Sequence, residues 1–187
     1  RVQESIASQK FDIGFAENPE RSELFFTKDF SLPTVIALPD GHPLSNHKVL
    51  TPNDLDGTPF STFLPEHDLT IQLRAAFETV DARLNIPFFL QNAAAQYTIV
   101  EKGLSVGFMS LLSVWLYQKN WKSKSTKKLI FRPFWPRIYQ NVSLIIPKHR
   151  TLPQISQLFI EKLERSVSNI LNTTRSKFQL DGPEELN

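Results

Sequence analysis

The chemistry a chain can perform is limited first by its reactive side chains. There is no cysteine, which excludes a thiol nucleophile, a disulfide and a thiolate-held metal. The four histidines, His42, His47, His67 and His149, do not stand at metal-ligand spacing. His42 lies in a turn between two prolines and reads as structural. Glu66-His67-Asp68 sets two carboxylates beside an imidazole, the types that general acid–base catalysis uses; the same triplet also reads as a solvated loop. No catalytic residue, metal site or cofactor is expected.

Binding chemistry finds better material. Asn92 follows an apolar strand and opens a helix of small residues, Ala93 to Ala95. A helix start offers unpaired N–H groups and partial positive charge, which suit a carboxylate, and alanines let a ligand come close. Asn92 either lines such a site or only caps its helix, and the two roles are compatible. Ser61, Thr62 and Phe63 end another strand, where hydroxyls either orient a polar ligand or satisfy their own backbone. Ala16 and Glu17 end a third strand; Glu17 would accept a ligand ammonium or stand as an idle loop carboxylate. Met109 and Ser110 occupy an equivalent position before a helix. Trp135, in Pro133-Phe134-Trp135-Pro136, is a packing aromatic or a hydrophobic wall.

The elements that must hold these residues alternate. Residues 2–9 read as the end of a helix. Strands are expected around Phe11 to Phe15, Leu24 to Phe30, Thr34 to Leu38, Phe60 to Phe63, Pro87 to Leu90, Ser105 to Met109, Lys128 to Phe131 and Gln140 to Ile146. Between them, Thr51-Pro52 starts a short helix, 69–83 is helical without a breaker, and Asn92 to Lys102 is a helix stopped by Gly103. A further helix carries Leu111, Leu112, Trp115 and Leu116. The last helix places Ile155, Leu158, Phe159, Leu163, Val167, Ile170 and Leu171 at helical spacings. Strands alternating with helices predict an α/β sheet protein.

With 187 residues, 41% hydrophobic and 21% charged, the composition is that of a globular chain, not a disordered or fibrous one. A formal charge of +2 is too small to point to nucleic acid. The densest basic cluster, Lys122, Lys124, Lys127 and Lys128, is a solvated loop or a DNA contact. No apolar run reaches membrane-spanning length, and residues 1–12 lack a signal-peptide core, so a cytoplasmic protein without membrane contact is expected.

The motifs, taken in order, resemble the effector-binding domain of LysR-type transcription regulators. Phe11-Asp12-Ile13-Gly14-Phe15 fits the family's aspartate-apolar-glycine strand. Val35 through Leu38 runs into Pro39-Asp40-Gly41-His42-Pro43-Leu44, and Leu55-Asp56-Gly57-Thr58-Pro59-Phe60 follows a short helix. Asn92-Ala93-Ala94-Ala95 leads to Gly103-Leu104-Ser105-Val106-Gly107. The likeness covers residues 11–171, and Gly14 through Pro19 looks most like members that sense lysine-related amino acids and opines. Met109-Ser110 stands where the family usually has proline.

That resemblance implies a two-lobed, type 2 periplasmic-binding-protein-like fold with a double-crossing hinge. Lobe I would take residues 1–33 and 149–172, lobe II residues 34–148, and 173–187 would be a flexible tail. It further implies a fragment lacking the DNA-binding part and the first strand and helix of lobe I. A small amino-acid-like or carboxylate effector would bind in the inter-lobe cleft, lined by Ala16, Glu17, Ser61, Thr62, Phe63, Asn92, Ala93, Met109 and Ser110. Implied partners are that effector, a second copy in a homodimer or tetramer, and DNA through the absent part only. A solute-binding protein of a transport system shares the fold and is the alternative; a related enzyme is the third possibility.

Overall fold

The structure is a computed structural model that describes residues 2–121 and 128–178. Three lysines of the basic cluster, Lys122, Lys124 and Lys127, lie outside the described residues. The described chain divides into two compact units, one of residues 2–32 and 140–172, the other of 33–121, 128–139 and 173–178.

In the first unit, α1 (Val2–Ala7) precedes β1 (Gly14–Glu17), which pairs antiparallel with β7 (Tyr139–Pro147) in the register Gly14↔Ile145 to Glu17↔Val142. The early part of β2 (Phe25–Pro39) lies beside β7, where Ser143 Oγ donates to Asp29 at 2.7 Å and Ser31 Oγ to Asn141 at 2.8 Å. Ile6, Phe25 and Ile145 form the small core. The Asp-Ile-Gly segment now has a physical explanation. Asp12 accepts from Arg150 Nη2 at 2.6 Å and from Ser156 Oγ at 2.9 Å, tying β1 to the start of α5 (Gln154–Phe178). Gly14 lets α1 lie directly on the strand, since a Cβ there would stand 2.5 Å from Val2 Cγ1 and 2.6 Å from Ile6 Cδ1.

The second unit is a mixed sheet in the order β6-β2-β5-β3-β4, with β3 (Pro59–Phe63), β4 (Asn85–Leu90), β5 (Val106–Ser110) and β6 (Leu129–Pro133). β2 is antiparallel to both β5 and β6, and β3 is parallel to β4 and β5. The apolar run 35–38 is buried on both faces, as such runs are in covered sheets. Ile36 and Leu38 pack with Leu69, Leu73 and Phe77 of α2 (Asp68–Glu78), joined by Phe60, Phe108 and Phe134. Val35 and Ala37 face the other way, toward Tyr97 and Val100 of α3 (Ala93–Glu101) and Val114 of α4 (Leu111–Leu116).

Several expected boundaries move. The two strands expected at 24–30 and 34–38 are one strand of 15 residues, β2, with Pro33 inside it. Proline persists in a strand only where no ladder donor is needed, and Pro33 sits at the junction between the units, where β2 changes partners. The helix expected over 69–83 stops at Glu78, and the backbone turns away where Asp81 adopts a left-handed φ of 55°. Residues 140–148, assigned above to lobe II, group with the first unit, since Val142 to Ile145 pair with β1. Finally, the helix expected to end at 171 runs to Phe178, whose ring lies 6.3 Å from that of Phe131; of the expected tail, 179–187 lie outside the described residues.

Candidate functional site

The carboxyl ends of β3, β4 and β5 and the start of α3 meet at one edge of the second unit. Asn92 is extended (φ −147°, ψ 153°), and its Oδ1 accepts from Ala95 N at 3.0 Å, a standard helix cap. Asn92 and Ala94 are exposed and Ala93 half-buried. Helix geometry gives the N–H groups of Ala93 and Ala94 no acceptor within α3, so they face outward beside the Asn92 amide. The capping role is therefore real, and it leaves two backbone donors for something else.

What fixes this helix end is a residue that the sequence did not mark. Gln96 is 1% exposed. Its Nε2 donates to Ser61 O at 2.6 Å and to Phe108 O at 3.0 Å. The β3–β5 ladder pairs Phe60 with Val106 and Ser61 with Gly107. Beyond it the Gln96 amide bridges the two strands and anchors α3 to both. The signal in the sequence was faint: a glutamine beside Tyr97 and Val100 on the buried side of a helix of small residues.

The other expected contact residues divide by burial. Ser61 and Thr62 are fully buried. Ser61 Oγ donates to Val106 O at 3.2 Å. Thr62 and Thr70 hydroxyls lie 3.2 Å apart, and Thr70 donates onward to Phe63 O at 3.1 Å, so the shared proton comes from Thr62. Both expected hydroxyls thus stabilise the strand end from within rather than point into solvent. Met109 is buried in the α3-side core, and Ser110 is buried with its Oγ 3.4 Å from that of Ser113. Phe63 is half-buried and stacks on His67, ring centroids 4.4 Å apart and planes 20° apart. Trp135 is half-buried, while its neighbour Phe134 enters the core. In the first unit, Ala16 packs against the core and Glu17 is exposed, its carboxylate accepting from Gln140 Nε2. Both line a groove of about 720 Å³ with Gln3, Asn18 and Arg21.

The catalytic hints resolve locally. His67 Nδ1 accepts from Leu69 N at 3.2 Å and caps α2, and Asp68 accepts from Gln72 Nε2 at 2.7 Å, so the Glu66-His67-Asp68 triplet forms a helix start. Gly103-Leu104-Ser105-Val106-Gly107 has the letters of a hydrolase nucleophile elbow. That motif needs the serine on a strand-to-helix turn with an exposed hydroxyl. Here Ser105 stands between α3 and β5, the reverse order, and is 5% exposed with an unpartnered Oγ. His42 likewise caps, its Nδ1 accepting from Leu44 N at 3.2 Å, and burial pushes its pKa down. Among the described residues no cluster of three His, Asp or Glu could hold a metal, and no helix is long and apolar enough to cross a membrane.

Comparison with known proteins follows the same line as the geometry. Residues 1–168 match the family model described as the LysR substrate binding domain. The transcriptional activator protein LysR of Escherichia coli strain K12 is 26% identical over 178 residues, 92% of this chain and 53% of that protein. The octopine catabolism/uptake operon regulatory protein OccR of Rhizobium meliloti is 38% identical over 56 residues, 30% of this chain and 19% of that protein. Among solved structures, the Synechocystis PCC6803 CcmR regulatory domain in complex with 2-PG superposes with a TM-score of 0.68 at 14% identity, covering 90% of this chain and 79% of that one. The chain spans about half the length of the E. coli relative.

Proposed function

Because the chain belongs to the LysR substrate-binding domain family, a family of transcriptional regulators and not of enzymes, we propose that it is the effector-sensing part of a DNA-binding regulator. The effector is a small carboxylate, amino-acid-like compounds included. One observation carries this reading: the start of α3 has the N–H groups of Ala93 and Ala94 without an acceptor in the helix, beside the Asn92 amide, and both Asn92 and Ala94 are exposed there. Two charge-assisted hydrogen bonds and the helix field are available to an anion there, the field alone contributing about 0.3–1 kcal/mol. Gln96 holds the helix end in place, and Ser61, Thr62, Met109 and Ser110 form its packed support.

Regulation follows if the carboxylate binds one arrangement of the regulator better than another, since only differential affinity shifts an equilibrium. On this reading copies of the regulator pair, and DNA is contacted by a part of the protein distinct from this domain. The partial likeness to OccR, whose name ties it to octopine, supports including opines among the candidates.

A thermal-shift screen of amino acids, opines and small carboxylates tests the proposal. A compound present at a hundred times its Kd adds about 2.7 kcal/mol, which for a chain of this size raises Tm by roughly 5–11 °C. Asn92→Trp abolishes the shift measured against the variant's own ligand-free Tm. A shift that survives the substitution rules out the start of α3 as the binding point.

A further inference from the structure

β3 and β4 are neighbours in the sheet, pairing Phe63 with Leu90 at their last positions. Where the chain leaves the sheet, the half-buried side chains of Phe63, Leu64 and Leu90 form the walls of an open cavity of about 290 Å³, completed by Glu66, His67 and Gln91. That volume sits at the small end of ligand pockets, which run from about 300 Å³ upward, and has room for one ring. Leu90 is two residues from Asn92, so their Cα atoms are at most about 7 Å apart. The cavity wall ends at Gln91, and the next residue along the chain is Asn92, which opens α3.

We propose that this cavity receives a flat apolar group of the effector, so that the ligand is a carboxylate bearing an aromatic or alicyclic ring. The proposal rests on the reading that the start of α3 receives the carboxylate. The Phe63–His67 stack belongs to the cavity lining and gives it a flat wall. The wall is fixed, because His67 is held by the hydrogen bond that caps α2. The lining suits an apolar group better than a charged one. Phe63, Leu64 and Leu90 would strip water from a charged group without replacing it. Glu66, the carboxylate of the rim, is exposed, and an exposed ion pair contributes little. A ring of the effector loses only hydration that it gains by losing, and offset stacking on an aromatic wall adds to it.

The test is an NMR titration of the chain, following leucine methyls and backbone amides, with phenylacetate, acetate and benzylamine as probes. Phenylacetate moves the Leu64 and Leu90 methyls together with the Ala93 and Ala94 amides, while acetate moves the amides alone. Leu90→Ser lowers phenylacetate affinity by about tenfold and leaves the acetate response unchanged. Phe63→Leu, which keeps an apolar lining but removes the flat wall, also weakens phenylacetate and guards against a folding defect in the first variant. Phenylacetate acting on the amides no differently from acetate, with the methyls still, overturns the ring proposal and leaves the carboxylate reading standing. Benzylamine moving the methyls as strongly as phenylacetate overturns the choice of a carboxylate. Neither anion moving the Ala93 and Ala94 amides overturns the underlying reading as well.

Discussion

Replacing Gln96 by leucine removes one side-chain amide and leaves two buried carbonyls, those of Ser61 and Phe108, without their donor. A buried polar group stripped of its partner costs about 1–3 kcal/mol, so the two together cost about 2–6 kcal/mol. Leucine offsets part of this: it is close to glutamine in size and more apolar, and burying a leucine contributes at most about 1.5–3 kcal/mol. The net expectation is a loss of about 2 kcal/mol, or roughly 4–8 °C in Tm for a chain of this length. Gln96→Glu sharpens the test. An ionised carboxylate cannot donate to either carbonyl, so this variant is destabilised further as pH rises through the titration of the new group, a dependence absent from the leucine variant. Circular dichroism melts give the size of the loss, and hydrogen exchange gives its place, with protection falling first at the start of α3 and the ends of β3 and β5. A Gln96→Leu protein as stable as the parent, or one whose exchange changes elsewhere, would refute the bridging role.

Other outcomes follow from the same geometry. Gly14→Ala places a Cβ against Val2 and the buried Ile6 and lowers stability by about 1–3 kcal/mol, as overpacking does; urea unfolding that leaves the midpoint unmoved would show that α1 yields freely. Burial depresses the pKa of His42 below its ordinary 6.5, so the unfolded chain takes up the proton first. Stability from this site is therefore complete above pH 6.5 and declines as pH falls below it, and His42→Asn flattens that part of a Tm-against-pH curve. Tyr97 and Tyr117 are pushed up to about 12, chiefly by burial. Their ionisation, followed by absorbance near 295 nm, lags behind that of unfolded protein, and the fold loses stability from pH 10 upward; titration of Tyr97 and Tyr117 near 10 in the folded chain would contradict the packing around α3.

The parts of the fold that the residues announce are those where local chemistry and tertiary need coincide. Asn92 before three alanines, and Gly103 after Lys102, mark both ends of α3, and Gly103 has the left-handed φ of 72° that a helix stop requires. The run 35–38 reads as buried on both faces because every member is apolar, and the two cores divide it residue by residue. The failures share a cause: tertiary partners overrule a local signal. Pro33 reads as a break, yet β2 passes through it because the strand exchanges neighbours there. Val80 fits the periodicity of α2, but the backbone turns at Asp81. Glutamine, serine and threonine are usually surface residues, so nothing in one sequence says that Gln96, Ser61 and Thr62 lie inside. Their burial depends on where β3 and β5 end relative to α3, which is a property of the assembled sheet. The candidate site was therefore legible at its exposed cap, Asn92, and hidden in the layer that holds the cap in place.

The contact between the effector's carboxylate and the start of α3 is what the functional reading depends on. Its most direct test is a titration of the chain with the compound giving the largest thermal shift, followed at the backbone amides of Ala93 and Ala94. Both amides shift downfield, as donors to an anion do, and saturate at the same midpoint as the thermal response. Saturation of the protein with these two amides unmoved would contradict it.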